Sequence, residues 1–241
     1  MPTPTTVQLL WGTQQRPKRG PKPALSLEGI VAEAITLADA EGLANLSMQR
    51  LAESLGFTKM SLYRYVPAKE QLTALMLDAA MGTPPDTAAL QGGSESWRAG
   101  IRLWAESIYQ RYREHPWAME LTVGTRPFGP NELGWTESAL IALSGTGLTG
   151  PEKLDTIVLV NGHARSLAQQ THSLGEDPTA QFAEQFTEMM TEAGDRYPEV
   201  VAAFAEEAAA ADSAGANDAL NFGIERVLDG LAVLIASRAG S

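Results

Sequence analysis

The strongest constraint in this chain is local: two short apolar-periodic segments on either side of one glycine, in the stretch LSMQRLAESLGFTKMSLYRYVP from Leu46 to Pro67. Ser47 can cap a helix in which Met48, Leu51, Ala52 and Leu55 share one face, and Gly56 ends it. Phe57 returns to the apolar interior and Thr58 caps a second helix, which Leu62 and Val66, one turn apart, anchor from the same side. Successive residues turn by roughly 100°, so Met60 and Arg64 point away from Leu62, flanked by Ser61 and Tyr63, with Lys59 at the helix start. Such a pair is either a helical hairpin with a solvated outer face or a helix-turn-helix that offers this face to a major groove.

Composition narrows the choice. A length of 241 residues suffices for two modest helical units or one extended domain with a sizeable core. The lack of cysteine excludes a disulfide scaffold, a thiol nucleophile and a cysteine–zinc site, and no cofactor or metal site is expected. No segment reads as a secretion signal or a bilayer span, so a soluble, cytoplasmic protein without membrane contact is expected. The net charge of −11 is unevenly spread: residues 1–70 carry eight Lys/Arg against six Asp/Glu, and the rest ten against twenty-three. An acidic body would repel DNA and leave the small basic end as its docking surface.

Residues 1–25 hold Arg16, Lys18, Arg19 and Lys22, no acidic residue and five prolines. They read as an arm without stable helix, either a solvated tail or a segment that touches phosphates or a minor groove. Leu27, Ile30, Val31, Ala34, Ile35 and Ala38 make the stripe of a supporting helix closed by Gly42. After Pro67 the pattern repeats in Leu72, Leu75, Met76, Ala79 and Ala80, in a helix that starts with Lys69 and lacks a capping side chain at Ala68. Gly82 to Ser94 reads as a linker. Beyond it, Trp97, Ile101, Trp104, Ile108 and Tyr112 form an aromatic stripe that is core or ligand wall, and His115-Pro116 breaks it. Further helices are expected from about 131, over 151–170, 179–193, 198–210 and 217–237. Gly145 to Gly150 fits G-x-G-x-x-G, but it follows a helix and no βαβ pattern surrounds it, so the glycines more simply join two helices.

Residues 26–81 resemble the DNA-binding domain of TetR-type transcriptional repressors. The marks are A-D-A-E-G-L after the first helix, L-S-M-x-x-L-A-x-x-L-G across the second and S-L-Y-R-Y-V-P-x-K in the third. A weaker similarity to the tetracycline-repressor-like ligand domain covers the remainder. The resemblance implies an all-α fold: an arm over 1–25, a three-helix helix-turn-helix domain with its connecting helix over 26–81, and a helical ligand-binding and dimerisation domain over 82–241. It also implies a homodimeric repressor of a palindromic DNA operator, released by a small-molecule effector. The residues expected at DNA are Arg16, Lys18, Arg19, Lys22, Ser47, Gln49, Thr58, Lys59, Met60, Ser61, Tyr63, Arg64, Tyr65 and Lys69.

Gly124-Thr125-Arg126-Pro127 is similar to the stretch where an inducer-responsive short helix ends in tetracycline repressors. There, a histidine three residues before the threonine binds the magnesium carried by the drug. Thr122 stands at that position here, which speaks against a magnesium–tetracycline ligand and leaves a different small molecule. The candidate pocket comprises Trp104, Ile108, Trp117, Thr122, Arg126, Trp135, Asn161, His163, Arg165 and Gln169, although the last four equally suit internal hydrogen bonds or the surface. In related repressors the last helix and the 151–170 helix form a four-helix bundle with their copies. The candidate dimer residues are accordingly Leu154, Val158, Val227, Leu228, Leu231, Leu234 and Ile235, and a monomer core would use a similar stripe.

Two other functions fit less of the sequence. An all-α enzyme would have to use His115, His163 or His172, but no H-E-x-x-H, E-x-x-H or G-x-S-x-G is present and no catalytic residue is expected. A helical interaction protein that had lost DNA binding would not need Lys59, Tyr63, Arg64 or the basic arm.

Overall fold

A computed structural model describes residues 3–12, 25–90, 92–93, 95–174, 180–194, 196–211 and 218–239. Among these residues there are helices and turns and no strand.

The helix-turn-helix stretch folds as its periodicity dictates. Helix α2 (Leu27–Glu41) carries the supporting stripe, with Ile30 and Ala34 fully buried. Helix α3 (Met48–Leu55) starts at Ser47, whose hydroxyl accepts from Arg50 N at 3.1 Å, and ends on Gly56 in the left-handed region at φ 72°. Helix α4 (Lys59–Tyr63) is capped by Thr58, which accepts from Ser61 N at 3.3 Å. Leu51, Leu62 and Val66 are completely buried beneath the pair. Helix α5 (Lys69–Met81) then leaves the unit from an Ala68 N-cap that supplies no side-chain bond.

The body is built on α6 (Ser96–Glu114), which packs along α9 (Gly150–Leu174) and against α8 (Pro130–Ala142), while α7 (Ala118–Leu121), next in the chain after α6, packs on α5. The aromatic stripe of α6 is core: Trp97, Ile101, Trp104, Ile108 and Tyr112 are all at most 5% exposed. Trp104 meets Trp135 of α8 edge-to-face at 5.8 Å and donates to its carbonyl at 2.8 Å. Helix α12 (Ala219–Ala239) lies on α9 and α6, while α10 (Ala180–Ala193) and α11 (Pro198–Ala211) pair with each other. Gly145 and Gly147, both with positive φ, join α8 to α9.

Two segments differ from the sequence expectation. Residues 3–12 are not structureless: Thr6–Leu10 form α1, started by a reciprocal capping box between Thr5 and Gln8. Burial of Leu9 and Leu10 on α5 supplies the tertiary support a five-residue helix needs. The expected linker is packed rather than loose in its first half. Thr87, 1% exposed, donates to the Ser138 carbonyl at 2.6 Å, and Ser138 donates to the Pro85 carbonyl at 2.7 Å. Its small polar residues thus serve buried hydrogen bonds, a use that composition alone does not reveal.

Candidate DNA-reading face and ligand cavity

Two hydrogen-bonded joints at the ends of α2 and α5 connect the helix-turn-helix unit to the body. At the end of α2, Asp39 Oδ1 accepts from Trp117 Nε1 at 2.6 Å and from His115 Nδ1 at 2.8 Å. At the end of α5, the buried carboxylate of Asp78 caps α8, accepting from Asn131 N at 3.0 Å and Glu132 N at 3.1 Å. Trp135 Nε1 adds bonds to the Met81 and Gly82 carbonyls at 3.0 and 3.1 Å. Burial pushes the Asp78 carboxyl up from its ordinary pKa, with the backbone N–H of Glu132 opposing it. The joint is close-fitting: a Cβ at Gly129 would stand 2.2 Å from the Asp78 carboxylate.

The outer face of the helix pair is free of the core. Met60 is 73% exposed, and Lys59, Arg64, Thr58, Gln49, Ser47 and Lys69 are exposed around it. Ser61 and Tyr63 are half-buried beside them, and Lys59 Nζ lies 5.7 Å from the Tyr63 ring centre. Tyr65 departs from the expectation. Its hydroxyl donates to the Leu25 carbonyl at 2.9 Å, so it fastens the chain entering α2 and is not on the open face. Arg16, Lys18, Arg19 and Lys22 lie outside the described residues.

A cavity of about 200 Å3 opens in the body between α5, α6, α8 and α9. Six of the ten candidate pocket residues line it: Trp104, Ile108, Thr122, Arg126, Trp135 and Asn161. Arg126 binds Glu132 in a forked pair at 2.7 and 2.5 Å, and its Nε has no hydrogen-bond partner. Tyr112 donates to Asn161 Oδ1 at 3.0 Å, and burial pushes its phenol up, so it stays a neutral donor. Tyr112 and Phe128 complete the aromatic wall, with Glu132 and Thr136 beside them. The spacing on α6 had put Tyr112 in the same stripe as Trp104 and Ile108. Glu132 could have been found only from its three-dimensional pairing with Arg126. A larger groove of about 620 Å3 between α6, α9 and the start of α12 has a more polar wall, including Glu106, Gln110, Thr171 and Asp218, and it is open to solvent.

The other four candidates are elsewhere. Trp117 is buried in the joint to Asp39. His163 Nε2 donates towards the Ala219 and Leu220 carbonyls, at 3.1 Å from each, and its ring fills the space over Gly223, making it a strut between α9 and α12. Arg165 donates to the Met119 carbonyl at 3.3 Å, and Gln169 is exposed on α9. His163 is two residues from Asn161 and from Arg165, about 200° round the helix, so it faces α12 while Asn161 faces the cavity.

The candidate dimer residues also divide. Leu228 and Leu231, at 0% and 9% exposure, belong to the core of a single copy and cannot form a partner face. Leu154 and Val158 are 50% and 70% exposed, joined on α9 by Leu159. On α12 the open apolar residues are Phe222 and Val233, with Val227, Leu234 and Ile235 half-buried. The heptad-like spacing of α12 thus marked its inward stripe.

Among the described residues, no three potential metal ligands converge and no helix is long and apolar enough to cross a membrane.

Residues 30–76 match the model of bacterial regulatory proteins of the tetR family, and residues 91–235 match that of the tetracyclin repressor-like C-terminal domain. The chain is 40% identical over 243 residues to the HTH-type transcriptional repressor DrrR1 of Streptomyces coeruleorubidus, covering 98% of this chain and 87% of that one. It is 30% identical over 130 residues to the class E tetracycline repressor protein of Escherichia coli, covering 54% and 61%. Among solved structures, ActR of Streptomyces coelicolor in complex with actinorhodin shares the fold, with a TM-score of 0.70 at 22% identity, over 88% of this chain and 98% of that one. With a helix-turn-helix at one end, an aromatic cavity in the body and family matches over both, the chain belongs to the TetR family of transcriptional regulators.

Proposed function

We propose that the protein is a homodimeric repressor that reads a palindromic operator through α4 and releases it when a flat aromatic molecule occupies the cavity of the body. The observation that carries this reading is the division of α4. Leu62 is wholly buried while Lys59, Met60 and Arg64 on the opposite side have no contact with the core that would explain them. Lys59, Ser61, Tyr63 and Arg64 offer an ammonium, a hydroxyl, a phenol and a guanidinium for base edges and phosphates, and Met60 an apolar tip. Ser47, Gln49, Thr58 and Lys69 flank this face and suit phosphates.

The exposed apolar strips of α9 and α12 support self-association, with Leu154, Val158, Leu159, Phe222 and Val233 on the shared face. Two-fold symmetry then sets half-sites roughly 35 Å apart. The ligand class follows from the walls of the cavity. Trp104, Tyr112, Phe128 and Trp135 suit a flat ring system, and Arg126 Nε and the Asn161 amide can donate to its oxygen substituents. The ActR complex with actinorhodin is in keeping with that reading. Release would travel through α8, whose Glu132 and Trp135 touch both the cavity and the end of α5. A shift of a few ångströms there moves both recognition helices of a dimer together.

Fluorescence-anisotropy titration against DNA from the region upstream of the coding sequence, at two salt concentrations and beside a scrambled duplex, tests the first half. Specific binding about a thousandfold tighter than to the scrambled duplex is expected. Equal, weak binding to both, followed by failure of a genome-wide fragment selection, would rule out DNA as the partner.

A further inference from the structure

Helix α1 has no part in the reading above, yet it is held in three places. Leu9 and Leu10 are buried against α5, and Gln71 Nε2 of α5 donates to the Pro4 carbonyl at 2.8 Å. Trp11 Nε1 donates to the Phe128 carbonyl at 3.2 Å. This last bond joins the first helix to the loop that walls the aromatic cavity, because Phe128 lines that cavity and Arg126 stacks on its ring at 5.1 Å.

A second cavity of about 310 Å3 lies between α5 and the 121–127 segment, with Thr6 at the start of α1 on its rim and Thr73, Leu77, Leu121, Thr125 and Arg126 around it. Arg126 therefore has the aromatic cavity on one side and this void on the other. The loop of residues 122–128 is a partition between two spaces. The first space, at about 200 Å3, is smaller than the ~300–1,000 Å3 usual for ligand sites, so a multi-ring ligand must enlarge it. Its inner wall resists, since Trp104 and Trp135 are buried and hydrogen-bonded. Val123, Gly124, Thr125 and Phe128 are exposed, in contrast to the two tryptophans, so the partition is the wall that yields. The room for it to move into is the second cavity, with the start of α1 on its rim.

We infer that α1 is a strap on the partition: a ligand that widens the aromatic cavity drives residues 124–128 towards α1, breaks the Trp11–Phe128 bond and loosens α1 from α5. Its regulatory meaning rests on the reading of the aromatic cavity as the effector site; the mechanical link between α1 and the loop does not. Trp11 is a positioning residue in this arrangement. By linkage, whatever loosens α1 also favours the ligand by the same factor. Because α5 carries the helix-turn-helix at its other end, the strap adds a second route from cavity to DNA beside the Asp78 joint.

Hydrogen–deuterium exchange on the full chain tests the link without any ligand. Trp11→Phe keeps an aromatic side chain and removes the N–H. It should speed exchange at residues 123–129 by roughly two- to tenfold and leave α6, α9 and α12 unchanged. Arg126→Ala, which frees the loop from Glu132, should speed exchange in α1 in turn. If each variant alters only its own segment, the strap is overturned. A second arm uses 1,8-dihydroxyanthraquinone as a flat probe. Saturation should raise exchange in α1, and Trp11→Phe should bind the probe more tightly by the factor seen in the loop. Binding that leaves α1 protected also overturns the proposal. A probe that does not bind counts against the flat-aromatic reading of the cavity alone, and the first arm still decides the strap.

Discussion

The two ends of this molecule are assembled on different principles. The proposed DNA-reading face comes from one continuous run of chain, with its caps, turn and anchors between Ser47 and Val66. The candidate ligand cavity draws single residues from Met81 to Asn161, on several helices and a loop. A face made from a contiguous segment can change its reading residue by residue while its anchors stay. A cavity made from scattered residues changes shape whenever any of its helices shifts. In the proposed function the second region is the responsive one, because small differences in helix position alter its volume and the Asp78 joint ties α8, one of its walls, to the end of α5.

The comparison can be broken at its strongest point first. Leu62→Ala removes the buried anchor of α4 and should cost about 2–5 kcal/mol of stability by chemical denaturation. Ligand binding in the body should survive if the two regions are as separate as their construction suggests.

Asp78 is the opposite case, belonging to both regions. Asp78→Ala leaves the first N–H groups of α8 without their acceptor and should cost about 1–3 kcal/mol, while Asp78→Asn keeps an acceptor oxygen and should cost less. The sign of the pH dependence separates these variants further. The folded-state pKa of Asp78 is raised, so its carboxyl favours folding most when protonated. Stability should decline as pH rises from the ordinary aspartate range through the raised value, and level off above it. Asp78→Asn should remove that part of the slope.

Arg64→Ala should weaken operator binding by about 1–3 kcal/mol in a titration, with an unchanged melting curve. Tyr65→Phe should do the reverse on a smaller scale. It should lower stability by about 0.5–1.5 kcal/mol through loss of the Leu25 bond, and alter DNA affinity no further than that. Equal losses of DNA affinity in both variants would return Tyr65 to the reading face.

What could be read in the sequence follows the same divide. Periodicity and capping residues delimited α2 to α5 and the buried stripe of α6, because each depends on neighbours within two turns. Tyr65 was misplaced although it sits in that stretch, since its partner Leu25 is 40 positions away. His163 and Trp117 went astray for the same reason, being fixed by α12 and by Asp39. On α12 the pattern marked an apolar stripe, but inward and outward apolar residues are alike in sequence. Only burial separated Leu228 from Val233. Helix α1 was hidden by prolines and basic residues nearby, while its Thr5–Gln8 box and the Leu9-Leu10 pair were local signals passed over.

The seam between reader and sensor does not fall where the chain changes character. Helix α5 begins in the helix-turn-helix, but its last turn gives Asp78, Met81 and Gly82 to α8, and Gly129 leaves no room for a side chain opposite. A hybrid regulator that grafts a foreign DNA-reading head onto this sensor should therefore cut within α5, leaving the turns that pack on α2 with the head and the last turn with the body. Cutting at the glycine- and proline-rich stretch after it would export the foreign head with a helix end that no longer fits, and the graft would bind its operator without hearing the ligand.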